Sequence, residues 1–145
     1  MSYKGKYQPK FPTKYKGDIR NVVYRSSWEL RLMNWLDQNP NVINWSSEEI
    51  IVPYKHPITG RWHRYYPDFM ATMKDKNGQH KTYMLEVKPR KQVDPPVKKT
   101  KITKRYLQEV QTFAINSYKW KYAKEYCKDR NWEFIVITEK ELGLA

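Results

Sequence analysis

From Ser26 onward the chain alternates between helical and strand-like hydrophobic spacing. Trp28, Leu32, Trp35 and Leu36 recur at intervals of three and four, which predicts an amphipathic helix. Ser26-x-x-Glu29 ahead of them is a capping box, in which serine and glutamate each satisfy a free backbone N–H. Asn39-Pro40 ends that helix, because the residue before proline is driven out of helical geometry. Residues 42–54 then read as a strand, with Pro53 marking an edge or a strand end. Pro57-Ile58-Thr59-Gly60 is a turn, and a second strand is predicted from Trp62 to Met73. Asn77-Gly78 favours a type I′ hairpin turn, so the strand from His80 to Val87 returns antiparallel, and Pro89 closes it. Phe113, Asn116, Trp120, Ala123 and Cys127 step by three and four and mark one face of a long helix over about 103–129. Phe134-Ile135-Val136-Ile137, within 132–138, is a short buried strand. No segment repeats another.

The order is therefore α-β-β-β-α-β. It predicts an α/β (α+β) fold, with a single mixed central sheet flanked by helices. The last helix and strand cross back onto that sheet.

Two stretches lack either period. Residues 1–21 hold six basic residues and one acid, together with Gly5, Pro9, Pro12 and Gly17. They predict a basic, flexible N-terminal arm ahead of a domain of residues 22–145. Lys88 to Arg105 hold eight basic residues and one acid, Asp94, around Pro95-Pro96, and read as a mobile basic loop. With 28 Lys+Arg against 15 Asp+Glu, the chain of 145 residues carries a formal charge of +13. Such an excess points to a polyanion, of which nucleic acid is the commonest. Lys14 and Lys16 of the arm, with Lys98, Lys99, Lys101, Lys104 and Arg105 of the loop, are the candidate DNA contacts. Binding through phosphates is steeply salt-dependent and weakly sequence-specific.

No apolar run approaches a membrane span and no N-terminal signal pattern is present, so no membrane partner is expected. The single cysteine, Cys127, leaves no intrachain disulfide framework. One cysteine and three histidines argue against a Cys/His zinc site. A reducing intracellular setting fits.

The chemistry lies in the acids. Asp68, in Tyr66-Pro67-Asp68-Phe69, and Glu86, in Leu85-Glu86-Val87-Lys88, fall on consecutive antiparallel strands joined at Asn77-Gly78. Asp68 precedes that turn by about ten residues and Glu86 follows it by about eight, so a bulge or an uneven loop brings them opposite one another. Facing carboxylates repel without a cation, and oxygen ligands suit a hard divalent one. Lys88 shares a strand face with Glu86, where an ammonium can meet a phosphate. This is equipment for metal-assisted phosphodiester hydrolysis. Each piece alone has a plainer reading: Glu-x-Lys as a structural ion pair, Pro-Asp as a turn, Glu29 as a helix cap. The cap and a site role are compatible for Glu29, since a carboxylate at a helix N-terminus can point into the site.

Ser27-Trp28-Glu29, then His63-Arg64-Tyr65-Tyr66-Pro67-Asp68-Phe69, Leu85-Glu86-Val87-Lys88 and Phe134-Ile135-Val136-Ile137-Thr138-Glu139 resemble, in that order, the PD-(D/E)xK nuclease superfamily. Within it they are similar to the small head-completion nucleases of T-even-like tailed phages and their transposase-type relatives. The resemblance runs from about Tyr24 to Leu142. It implies a Mg²⁺-dependent DNA endonuclease acting in phage head completion after DNA packaging, with Mn²⁺ as a substitute. Asp68, Glu86 and the Val87 main-chain carbonyl would bind the metal, and Glu29 a second metal or its waters. Lys88 would orient the attacking water and steady the phosphate. Asn116 and Lys119, one turn apart on the long helix, resemble an auxiliary position facing substrate, where the plainer reading is a solvated helix face. The implied partners are DNA and phage head, portal or neck proteins. The implied location is the host cytoplasm during assembly and then the virion. Two alternatives stay open: a structural DNA-binding head-completion protein with an inactive site, and a transposase- or resolvase-type nuclease.

Overall fold

The structure is a computed structural model and describes residues 4–143. Residues 1–3 of the expected arm and 144–145 of the expected domain lie outside the described residues. Strand β1 (Gly5–Lys6) pairs antiparallel with β2 (Val23–Tyr24). Helix α1 (Ser27–Gln38) follows, then β3 (Val42–Ser47), β4 (Val52–Lys55), β5 (Trp62–Tyr65), β6 (Phe69–Lys74) and β7 (His80–Val87). The single-turn α2 (Arg90–Val93), the 26-residue α3 (Lys104–Asp129) and β8 (Glu133–Ile137) complete the chain. The central sheet has the order β3-β6-β7-β8, with two antiparallel pairings and a final parallel one. The expected α-β-β-β-α-β arrangement is present as α1, β3, β6, β7, α3 and β8.

Helix α1 starts at Ser27 because Ser26 Oγ accepts the Glu29 N–H at 3.1 Å. The return contact reaches one residue further out than a capping box does, with the Arg25 N–H donating to Glu29 Oε1 at 3.3 Å. Leu32, Met33 and Leu36 of α1 pack on Trp45, Phe69, Ala71 and Leu85 at one face of the sheet. Trp120, Ala123 and Cys127 of α3 pack on Met84 at the other face, together with Val52, Tyr54 and Tyr65. Alternation along β7 puts Leu85 towards α1, and Met84 and Glu86 towards α3.

Three expectations are corrected. The predicted strand over 42–54 is two strands, because Glu48 takes a left-handed φ of 54° and turns the chain out of the sheet. Strand β4 then pairs with β5, Val52↔Tyr65 to Lys55↔Trp62, as a ribbon packed on α3. The predicted strand from Trp62 to Met73 breaks at Tyr66-Pro67-Asp68, where proline has no N–H for a ladder. The hairpin turn is not type I′, which needs positive φ at both central residues. Gly78 has φ 79°, but Asn77 is not among the left-handed residues. The Asp75 carboxylate builds the turn instead, accepting the N–H groups of Asn77 at 2.8 Å and Gln79 at 2.9 Å.

The segment expected as a flexible arm lies packed on the domain across its described part. Tyr15 bridges to Trp45, and the Lys16 N–H donates to the Trp45 carbonyl at 2.8 Å. The Tyr15 and Tyr7 rings meet Trp45 edge-on at 4.9 and 5.9 Å. Asp37, fully buried near the end of α1, accepts the N–H groups of Lys10 at 2.8 Å and Phe11 at 3.4 Å, and the Tyr7 hydroxyl at 3.3 Å. Burial, and then the Asp37 charge, push the Tyr7 phenol up to about 12. Lys14, expected on DNA, donates to the carbonyls of Asp37 at 2.7 Å and Asn39 at 2.8 Å. It caps the C-terminus of α1, where the helix dipole favours a cation. A charge count sees the lysines of this segment but not the burial that its tyrosines gain.

Replacing Asp37 with alanine leaves two backbone donors and a hydroxyl without an acceptor. The expected cost is about 3 kcal/mol in a urea melt, with faster proteolytic cleavage before residue 22. A variant as stable as the parent would remove Asp37 as the anchor.

Candidate active site

The β6–β7 ladder ends at Phe69↔Leu85. One step further the same register places Asp68 opposite Glu86, on the α3 side. The expected bulge is not needed, because the Lys74↔His80 pairing centres the hairpin on Asn77. Glu86 is 5 % exposed and its Oε1 is buried without a hydrogen-bond partner among the described residues. Asp68 Oδ2 accepts the Val87 N–H at 2.7 Å, a bond available because β6 has already ended. Burial, and then the Glu86 charge, push the Asp68 carboxyl well above the usual carboxylate range, against the pull of that N–H.

Glu29 approaches from the N-terminus of α1. Burial raises its carboxyl and Glu48 adds to the rise, while the Arg25 N–H pulls it back. Its charge acts on Asp68 in turn. Arg25 and Glu48, neither of them singled out by the sequence, form an ion pair at this rim. The Glu48 N–H also holds the Asp68 carbonyl at 3.1 Å. The signal for Glu48 was the adjacent acid pair Glu48-Glu49 inside the predicted strand over 42–54.

On the α3 side, Lys119 is half-buried, its ammonium 5.6 Å from the Tyr65 ring centroid and 5.9 Å from that of Tyr54. Burial lowers its pKa, the Glu86 charge opposes this, and the Lys88 charge reinforces it. Asn116, one turn away, is buried with Nδ2 unpartnered among the described residues, so it is not part of a solvated helix face. Lys88 is fixed by its backbone: its N–H donates to the Ile137 carbonyl at 3.0 Å, one step beyond the Val87↔Ile137 pair. Tyr65, at the end of the unexpected ribbon, also faces this group and is buried.

The structure thus brings Glu29, Asp68, Glu86, Lys88, Asn116 and Lys119 to one end of the sheet. The candidate phosphate contacts Lys98, Lys99, Lys101, Lys104 and Arg105 are all exposed, as is Lys16. Arg105 pairs with Glu109 at 3.5 Å. Lys104 and Arg105 open α3 rather than lying in the loop, and the loop that carries Lys98, Lys99 and Lys101 starts from an anchored turn, the Arg90 N–H donating to Glu139 Oε1 at 2.8 Å.

Among the described residues, no three or more carboxylate, imidazole or thiolate groups are gathered closely enough to hold a metal ion. The pair of Asp68 and Glu86 fits a hard divalent cation by its chemistry: two opposed carboxylates, one with an orphaned buried oxygen. No helix among the described residues is long and apolar enough to cross a membrane.

Residues 39–139 match the family model described as TnsA-like endonuclease N terminal. That span contains Asp68, Glu86, Lys88, Asn116 and Lys119 and begins after Glu29. Over 146 residues the chain is 40 % identical to the Head completion nuclease of Enterobacteria phage T4, covering 98 % of this chain and 95 % of that protein.

Asp68→Asn keeps an acceptor for the Val87 N–H and removes one of the two opposed charges. Without metal, its melting temperature is expected to rise by about 3 °C, equivalent to about 1 kcal/mol. Added Mg²⁺ is expected to raise the melting temperature of the parent protein but not of the variant. A metal-free variant that melts lower than the parent contradicts the repulsion.

Proposed function

The chain belongs to the TnsA-like endonuclease family, and from that premise we propose that it is a Mg²⁺-dependent DNA endonuclease that works in phage head completion after packaging. Nucleases of this family are metal-dependent in general. The observation that carries the reading is the buried opposition of Asp68 and Glu86 at the end of a hairpin, in a chain of charge +13.

Asp68, Glu86 and the Val87 carbonyl hold Mg²⁺, with Mn²⁺ as a substitute, and Glu29 acts through water at the same rim. The bound cation supplies Lewis-acid polarisation of the scissile phosphate and neutralises charge developing on it. Lys88, on the Glu86 face of β7 and fixed by the Ile137 carbonyl, orients the attacking water and stabilises the phosphate as its charge grows. Lys119 places a second ammonium beside the site, its basicity lowered by burial. Asn116 offers a buried amide N–H group to the same side. DNA is held by its phosphates along Lys98, Lys99, Lys101, Lys104 and Arg105, with Lys16 at the edge. The partners are head, portal or neck proteins of the particle. The enzyme acts in the host cytoplasm as particles mature and is carried into the virion.

The deciding experiment is cleavage of supercoiled, linear and branched DNA with Mg²⁺, Mn²⁺ or EDTA. Asp68→Ala, Glu86→Ala and Lys88→Ala are each expected to lose about 10²- to 10³-fold or more in rate, with DNA binding retained. No cutting by the parent protein on any substrate, alongside salt-sensitive binding, would favour a structural DNA-binding head protein.

A second measurement tests the basic loop. Changing Lys98, Lys99 and Lys101 to glutamine is expected to flatten the dependence of log K on log salt by about 0.9 for each phosphate no longer neutralised. An unchanged slope would take the loop out of the interface.

A further inference from the structure

Three buried side-chain atoms beside the site have no hydrogen-bond partner among the described residues: Tyr65 Oη, Trp120 Nε1 and Glu86 Oε1. Tyr65 is 4 %, Glu86 5 % and Trp120 9 % exposed. They come from three elements, the end of β5, the middle of α3 and the end of β7. Tyr65 and Trp120 share a core with Met84, which lies two residues before Glu86 on the same strand face.

The chemistry of the three is complementary. An indole N–H only donates, a carboxylate only accepts, and a phenol does both. Burying a hydroxyl without a partner is costly, and phenylalanine would fill the same core space without that cost. Glu86 and Trp120 lie beside the Tyr65 phenol, although the contacts fall short of full hydrogen-bond geometry here. Catalytic hydrogen bonds are commonly long before the site is loaded and tighten afterwards.

We propose that Tyr65, backed by Trp120, is a positioning residue that fixes the Glu86 carboxylate for a divalent cation: Trp120 Nε1–H donates to Tyr65 Oη, Tyr65 O–H donates to Glu86 Oε1, and Glu86 Oε2 is left for the metal. The inference rests on the reading of Glu86 as a metal ligand. It gives the β4–β5 ribbon a task, since the ribbon carries Tyr65 to the site and its packing on α3 sets the phenol beside Trp120. Ligating carboxylates are oriented by such outer partners, whose loss typically weakens metal binding about 10- to 100-fold.

The test is direct Mn²⁺ binding by electron paramagnetic resonance on the full chain without DNA. Four variants are compared: Tyr65→Phe, Trp120→Phe, the double variant and Glu86→Gln. Near-UV circular dichroism confirms the fold of each. Tyr65→Phe removes one oxygen and is expected to raise the Mn²⁺ Kd about tenfold or more. In cleavage, it should need more metal for half-maximal rate while its KM for DNA stays unchanged. Trp120→Phe is expected to weaken Mn²⁺ binding in the parent background and to add nothing to Tyr65→Phe, because it acts through the phenol. Parent-like Mn²⁺ affinity in Tyr65→Phe, with affinity lost in Glu86→Gln, would overturn this inference alone. Parent-like affinity in Glu86→Gln would overturn the metal reading of the site, and the inference with it.

Discussion

The Asp68 and Glu86 carboxylates face each other where the β6–β7 ladder stops, and the backbone holds them there whatever their charge. Six ladder pairs from Lys74↔His80 to Phe69↔Leu85 set the register, and the Val87 N–H fixes one of the Asp68 oxygens. The pair cannot separate without breaking the sheet. Its repulsion is relieved either by a proton, as the raised Asp68 carboxyl shows, or by a cation. Neighbouring lysines relieve it incompletely. Lys119 is itself held back by burial and by Lys88, so a further ammonium there would repel two others. A small divalent ion carries more charge into less space.

Much of the remaining fold reads as support for that pair. Glu48 ends β3 in a left-handed turn and its N–H takes the Asp68 carbonyl. Pro67 withholds a donor just before Asp68. Together they release Asp68 from the ladder at the point where its side chain must turn to the Val87 N–H. Residues 4–21 close the exposed edge of β3 through Tyr15 and Trp45, and an uncovered edge strand invites pairing with other chains. Asp37 ties the same segment to the end of α1, whose other end presents Glu29 to the site. The N-terminal segment and the site are thus connected through one helix.

What could be read from the sequence was what rests on local pattern. The Ser26 cap of α1, the limits of β7 and the face of α3 follow from spacing alone, because capping and period-driven burial act within a few residues. The hairpin between Asp68 and Glu86 was legible, and so was the meeting of the two acids. The bulge invoked to align them was not needed, since the Asp75 side chain recentres the turn. The ribbon of β4 and β5 was hidden by apolar residues on both sides of its breaks, so that two strands read as one. Tyr65 was hidden for a different reason: Glu86 and Trp120, which it lies beside, are distant from it in sequence. In the N-terminal segment charge and proline outweighed two tyrosines, although the tyrosines decide where it goes. The helix-capping contacts of Lys14 were hidden too, because a lysine that caps a helix and a lysine that meets a phosphate look alike in composition.

The placement of the basic loop follows from the topology. A parallel β7–β8 pairing requires a crossover, and that crossover starts at Lys88 and returns through the helix that carries Asn116 and Lys119. The loop therefore joins, along the chain, the two elements that carry the site, β7 and α3. Along α3, Lys104 lies fifteen residues before Lys119, about 22 Å at about 1.5 Å per residue. That length matches about six steps of a DNA strand at about 3.4 Å each. On the proposed reading, cations at the loop end and carboxylates at the sheet end would divide the work: one end would hold phosphates at a distance from the cut, and the other would receive the phosphate to be cut. A negative centre in a positive chain is then not a contradiction. The outer charge would draw the polyanion in, and the inner charge would admit it where a cation offsets the two carboxylates.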